Sequence, residues 1–281
     1  MHHRLPHRLL ILVLMPLIFS VGSAEAASGQ TDENADESRS GRQKDGWDIT
    51  LGAGAASMPK YPGSDEQKLR MLPMIAVRYG RFFIGGDSGA GGGAGGGIGV
   101  NVYEDHNLRV GAMVSVGAFK ARKEADDPRL HGLGDIDGTT RLGAFASYKL
   151  GWLSADASVS SDVGDNKQGT VAKLGLSANW SPSPRLRISA GPNMTWANGE
   201  YMQTFFGIDA LQSQRSGRAP YRAGGGVSGV GFGASAHYGF DAHWGLGAFV
   251  STSQLQGDAK DSPITQDKTQ SSFGLFATYR F

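Results

Sequence analysis

The sequence predicts an all-β chain: a closed antiparallel transmembrane β-barrel of about 12 strands, preceded by a cleaved signal peptide and a short disordered tail. Three observations carry this. First, Phe273, Leu275, Ala277, Tyr279 and Phe281 fall on one face of an extended C-terminal strand, and Gly274, Thr278 and Arg280 fall on the other, where Phe276 is the one large apolar intruder. An apolar strand ending on an aromatic is a sticky edge in a soluble protein. A closed barrel instead pairs it with the first strand and sets its aromatics in the interfacial girdle. Second, the N-terminus has the parts of an export signal. Third, the connections between predicted strands alternate between tight and long.

The elements follow in order. Arg4 and Arg8 precede an apolar run from Leu9 to Phe19, and Ser23, Ala24, Glu25 and Ala26 supply an A-x-A cleavage site. The run contains Pro16 and is shorter than the roughly 20 residues a spanning helix needs. Residues 1–26 therefore read as a signal peptide cleaved after Ala26. Residues 27–45 hold almost nothing apolar to offset their ordering entropy and read as a flexible periplasmic tail. The barrel then occupies 46–281.

Its first strand sets Trp47, Ile49, Leu51 and Ala53 against Asp48, Thr50 and Gly52. The second runs from Arg70 to Tyr79, where Pro73 suggests an edge or bulge because proline removes a ladder donor. Short third and fourth strands follow at Phe82 to Asp87 and Gly95 to Tyr103. Six clean alternations come next, starting at Leu108, Arg141, Leu153, Ala172, Leu186 and Val227, and an eleventh strand runs from Trp244 to Gln254. The non-apolar face repeatedly carries charge at mid-strand, as at Arg109, Arg141, Asp156, Lys173, Arg187 and Arg280, which suits a wet lumen better than the face of a soluble sandwich.

With the N-terminus periplasmic, the even-to-odd connections are tight turns near Gly80, Glu104 to Asn107, Gly151, Ser181 to Arg185 and Asp241 to His243. The odd-to-even connections include long segments at Met58 to Leu69, Ala121 to Thr139, Ala197 to Arg222 and Leu255 to Ser272. That asymmetry belongs to outer-membrane barrels of Gram-negative bacteria. Composition narrows the function. The absence of cysteine excludes a disulfide framework, a zinc-thiolate site and a cysteine nucleophile. The net charge of +1 offers no basic excess to hold nucleic acid, and the mature chain is close to neutral.

Five fragments, in order, resemble the MipA/OmpV family of outer-membrane proteins. They are Pro59, Tyr61, Gly63, Ser64 and Asp65; Arg129 to Ile136; Trp196 to Ile208; Gly257 to Ile264; and the terminal Tyr279, Arg280 and Phe281. The glycine run 89–97 departs from the family pattern. The resemblance implies a non-enzymatic barrel acting as a scaffold that recruits a murein hydrolase and synthase, a lytic transglycosylase and a penicillin-binding protein, to the outer membrane. It implies as the alternative a narrow channel for small polar solutes or drugs. Outer-membrane lipid and lipopolysaccharide are the expected surroundings.

Candidate chemistry is sparse. Ser235 and His237 are spaced as a nucleophile and base on one strand, but parity puts both in the lumen and spacing identifies no acidic third member. The glycine run lacks the following helix that a phosphate cradle needs. Glu124, Asp126, Asp127, Asp135 and Asp137 gather carboxylates in one loop without the order of a calcium-binding loop. The expectation is no catalytic, cofactor-binding or metal site. The apolar centre of Ala197 to Arg222, from Tyr201 to Ile208, is unusual for an exposed loop and is expected to form a plug or lid.

Overall fold

The computed structural model describes residues 46–85, 97–117 and 121–281. The expected signal peptide and tail, most of the glycine run, and the expected strand ends at 86–87 and 95–96 all lie outside the described residues. Among the described residues, twelve strands close into one antiparallel barrel in chain order. They are β1 (Trp47–Pro59), β2 (Gln67–Tyr79), β3 (Phe82–Gly85), β4 (Gly97–Glu104), β5 (Leu108–Val116), β6 (Thr140–Leu150), β7 (Leu153–Asp162), β8 (Thr170–Ser183), β9 (Leu186–Ala197), β10 (Gly226–Gly239), β11 (Trp244–Leu255) and β12 (Thr269–Arg280).

The ends of the chain make the seam. β1 and β12 pair from Thr50 opposite Arg280 to Ser57 opposite Phe273. Arg280 donates to both carboxylate oxygens of Asp48 at 3.0 and 2.7 Å, and the Phe281 N–H donates to the Ile49 carbonyl at 3.0 Å. Closure removes the free edge that an apolar terminal strand would otherwise expose. The two-residue period then sorts the side chains: Leu275 is 61% exposed, and its neighbour Phe276 is 4% exposed inside the barrel.

Several strands run longer than their alternation suggested. The β1–β2 ladder continues to Pro59 opposite Gln67, and β12 begins at Thr269 opposite Gln254, so the two loops between them are shorter than expected. Polar residues at these outer strand ends no longer face hydrocarbon, so the apolar signal stops before the hydrogen-bond ladder does. Pro73 makes no bulge: it pairs with Ala53 in unbroken register. β3 reaches only Val77 to Tyr79 of β2, so Pro73 has a described ladder partner on one side alone, where a missing donor costs least.

Both termini of the barrel lie at the short-turn end, the periplasmic end of an outer-membrane barrel. An aromatic cluster marks that rim. Trp47 stacks on Tyr79 at 4.9 Å between centroids, and Trp244 and Phe281 meet Tyr279 edge-on at 5.0 and 4.8 Å. Trp152 and Trp180 point outward at the same level, while Trp196 sits at the opposite rim. The largest buried apolar clusters are formed by the long loops at that opposite rim.

Candidate functional site: a capped lumen with two unlike walls

Four long loops fold together over the outer mouth. Within the β9–β10 loop, Asn198 ends β9 and accepts from the N–H of Tyr201 at 3.0 Å, capping helix α1 (Gly199–Phe206), and it accepts from the Thr170 N–H of β8 at 2.9 Å. Helix α2 (Ala210–Ser216) starts on an Asp209–Gln212 capping box and stops at Gly217 in the left-handed region. The apolar face of α1 (Met202, Phe205, Phe206) packs on Val171, Ala197 and Leu255, which close the lumen-facing side of β8, β9 and β11. The helix therefore sits inside the mouth as a lid, as its apolar centre suggested. A short helix α3 (Gly257–Lys260) in the β11–β12 loop covers it through Ala259.

A second cluster joins Tyr61 of the β1–β2 loop, Leu130 and Leu133 of the β5–β6 loop, Ile208, and Ile264 of the β11–β12 loop. Side chains lace these loops to one another. Ser262 donates to the Phe206 carbonyl (2.6 Å), Gln212 to the Leu133 carbonyl (2.8 Å), and Arg218 to the carbonyls of Pro263 and Arg129 (both 3.0 Å). Gly132 permits the closest approach: a Cβ there would lie 2.5 Å from the Ser216 nitrogen, and its φ of +80° is itself unfavourable for other residues. The four loop fragments that resemble the family, scattered along the sequence, are thus parts of one folded cap.

Charge is distributed in the cap in two ways. Arg129 bridges loops, donating to Asp65 at 2.6 Å and to buried Asp127 at 2.7 Å. Its guanidinium holds both carboxyls below their ordinary range. Arg122 is different. It is 2% exposed, donates to the Phe205 carbonyl at 3.3 Å, and leaves Nε without a partner. Burial lowers its pKa to about 10.

Beneath the cap the lumen has two unlike walls. Toward β1–β6, β11 and β12 it is lined by rings seated on glycines of the adjacent strand. Phe83 lies opposite Gly99, Phe145 opposite Gly111, Phe249 opposite Gly274, and Phe276 opposite both Gly247 and Gly54. A Cβ at Gly99, Gly111, Gly274 or Gly247 would fall 2.0–2.5 Å from the ring, so each glycine is the space its phenylalanine fills. Toward β7–β10 the wall is polar and half-exposed: Ser154, Asp156, Ser158, Ser160, Lys173, Ser177, Asn179, Arg187 and Ser189 face inward. Between the walls, Arg109 lies 5.7 Å from the centroid of Phe145, and Asp156 accepts from Ser147 at 2.6 Å.

The residues considered from sequence fall as follows. Ser235 and His237 line the lumen, as parity required, but the structure does not join them into a triad. His237 Nε2 is 3.4 Å from the Thr278 hydroxyl, its ring stacks near Phe276, and Nδ1 has no partner. Glu124 accepts from the N–H groups of Gly132 and Gly134, Asp126 pairs with Lys68, Asp127 pairs with Arg129, and Asp135 accepts from the Glu124 N–H. These carboxylates tie their loop to itself and to β2, and do not converge. Sequence reasoning missed the glycine seats and Arg122. Phenylalanines on the inward parity, at 83, 145, 249 and 276, were the signal available for the seats.

The family comparison fits this architecture. The profile of the family described as MltA-interacting protein MipA matches residues 51–281. The Escherichia coli K12 protein YiaT, described provisionally as an outer membrane protein, is 25% identical over 238 residues, covering 83% of this chain and 91% of the relative. Among solved structures, an outer membrane channel of Pseudomonas putida matches at 14% identity and a TM-score of 0.45, over 84% of this chain and 96% of that one. The DcaP channel of Acinetobacter baumannii matches at 10% identity and a TM-score of 0.40, over 84% and 96%.

Proposed function

This chain belongs to the MipA family of outer-membrane barrels, and from that premise we propose that it is a narrow conduit for small polar solutes, closed at its outer mouth by the folded cap. One observation carries the reading: a continuous polar wall on β7–β10, half-exposed to the lumen, leads from the periplasmic rim at Asn179 and Arg187 up to Lys173 and Ser160 under α1. A barrel serving only as an anchor has no use for such a wall, since inward positions can be filled with apolar side chains, as Phe83, Phe145, Phe249 and Phe276 fill them on the opposite side. The cap supplies the closure, and its ties through Asn198, Arg129 and Ser262 are local enough to be released loop by loop. Nothing in this reading requires catalysis.

Conductance of the purified mature protein in planar bilayers tests it. The native barrel should open intermittently, and the Asn198→Ala barrel, which loosens α1, should stay open longer. Silence from both variants, with each shown to be folded, overturns the conduit.

The family description as MltA-interacting supports a second reading, in which the barrel anchors murein enzymes. Among the described residues, the periplasmic end offers short turns only, so this reading assigns recruitment to the tail at 27–45. Pull-down of a lytic transglycosylase and a bifunctional penicillin-binding protein with and without the tail tests it. Equal retention by the tail-less protein removes the tail from the account.

A further inference from the structure

We propose that the lumen contains a binding site for a small oxyanion, a phosphate or carboxylate carried by a solute, centred on Lys173 and Arg141 beneath the cap. The inference rests on the conduit reading for its purpose, although binding itself does not require conduction. Arg141 is the second residue of β6 and Lys173 the fourth of β8, counted from the outer rim, and both face inward on either side of β7. At about 3.3 Å per residue, Lys173 lies roughly 10 Å below the end of its strand. Ser158 is directly opposite Lys173 in the ladder, and the Ser160 hydroxyl accepts from Arg141 Nε at 3.2 Å. The phenol of Tyr201, carried by α1, is within electrostatic reach of Arg141.

Neither cation makes an ion pair with the described residues, although Asp162 lies across the ladder from Arg141 and acts on its charge. The Arg141 guanidinium also donates to the carbonyls of Ser160, Gln168 and Gly169 at 3.0–3.3 Å. Carbonyls fix a guanidinium in place and leave its charge intact. Its cross-strand neighbour Asp162 is engaged elsewhere: it accepts from the Thr139 hydroxyl and from the N–H groups of Gly164, Asn166 and Gln168. The Lys173 ammonium makes no hydrogen bond or ion pair with the described residues, and the charge it feels is that of Arg141, of the same sign. Several other luminal charges have acidic or basic partners, as Arg280 has Asp48 and Arg78 has Glu104.

An ammonium with three unused donors within electrostatic reach of a fixed guanidinium, in a narrow lumen, is unfavourable alone. An oxyanion accepting from Lys173 and lying against Arg141 relieves both conditions, with the Ser160 hydroxyl as a neutral donor. Lower on the same wall, Arg187 also faces inward and makes no ion pair with the described residues, so the potential that would attract an anion continues toward the periplasmic rim.

Isothermal titration of the folded, detergent-solubilised mature protein with inorganic phosphate at constant ionic strength tests the site. Saturable binding is expected, weakened about tenfold or more by Lys173→Gln, retained by Lys173→Arg, and unchanged by Lys268→Gln on the outer surface. Heat-modifiable gel mobility verifies that each variant is folded. Reversal potentials in a salt gradient form a second arm and are expected to favour chloride over potassium. Absence of saturable phosphate binding, or equal affinity in native and Lys173→Gln proteins, overturns the site. A barrel that binds phosphate through Lys173 yet never conducts sustains the site and removes the conduit. One that conducts with cation preference and binds no phosphate does the reverse.

Discussion

Replacing Phe276 by alanine tests whether half of this lumen is a packed core. The ring is 4% exposed and packs with Ala56, Leu72 and Phe249. It lies over Gly247, where a Cβ would fall 2.0 Å from its Cζ, and its own Cβ would be 2.7 Å from a Cβ placed on Gly54. Losing a fully buried aromatic removes roughly 1.5–3 kcal/mol of transfer free energy, and the unfilled cavity adds to that. Closing glycines cannot collapse onto the gap, so a total of about 3–4 kcal/mol is expected. Phe273, on the same strand but 59% exposed toward lipid, leaves space that acyl chains fill, and its truncation should cost about 1 kcal/mol or less.

Urea unfolding of vesicle-inserted protein, followed by fluorescence of the five tryptophans, measures both. A companion variant sharpens the reasoning. Gly247→Ala should destabilise the native barrel and be tolerated in the Phe276→Ala background, because the two changes compete for one space. Equal losses for Phe276→Ala and Phe273→Ala, or simple additivity with Gly247→Ala, would refute the seat.

Other expectations concern the cap. Burial places the pKa of Arg122 at about 10, below its ordinary value in the open loop. Between those values the open cap binds more protons than the closed one, so closure should strengthen as pH rises from about 10 and be flat below it. Spin-label distances across the β5–β6 and β9–β10 loops would show this, and Arg122→Met should close more firmly at neutral pH and lose the pH response. Arg129→Ala removes the partner that holds Asp65 and Asp127 below the ordinary carboxylate range. That stabilisation is complete at neutral pH and is lost as pH falls below about 4, so the variant's outer loops should be cleaved faster at pH 7 and no faster in acid. Equal cleavage at pH 7 would count against the bridge. Asn198→Ala should weaken α1 by about 1 kcal/mol, visible as faster backbone hydrogen exchange in Tyr201 to Phe206.

Much of the barrel was legible because strand alternation and loop length are properties of neighbouring residues. Parity placed Ser235 and His237 in the lumen correctly, yet whether His237 had an acidic partner depended on Thr278 and Phe276, two strands away in space. Phe276 looked like an exception on the polar face of its strand. Opposite Gly247 and Gly54 it is a core residue, and that required the register of three strands at once. The lid was foreshadowed by its apolar centre, since a loop with Met202, Phe205 and Phe206 must bury them somewhere. Its neighbours were not, because Tyr61 and Ile264 meet only after the barrel brings the first and last loops to one rim.

The amino-acid order by itself determined a sealed β-cylinder, its orientation and the presence of a lid, because a period of two and a contrast of short with long connections are one-dimensional signals. Tertiary structure alone decided that family fragments far apart in the chain form one cap. It also decided that phenylalanines seated on glycines line one side of the interior, and that Lys173 faces the lumen near Arg141 without an ion-pair partner among the described residues. Closure of the barrel sets those distances, and an electrostatic or packing energy depends on distance in space, on which position along the chain is silent.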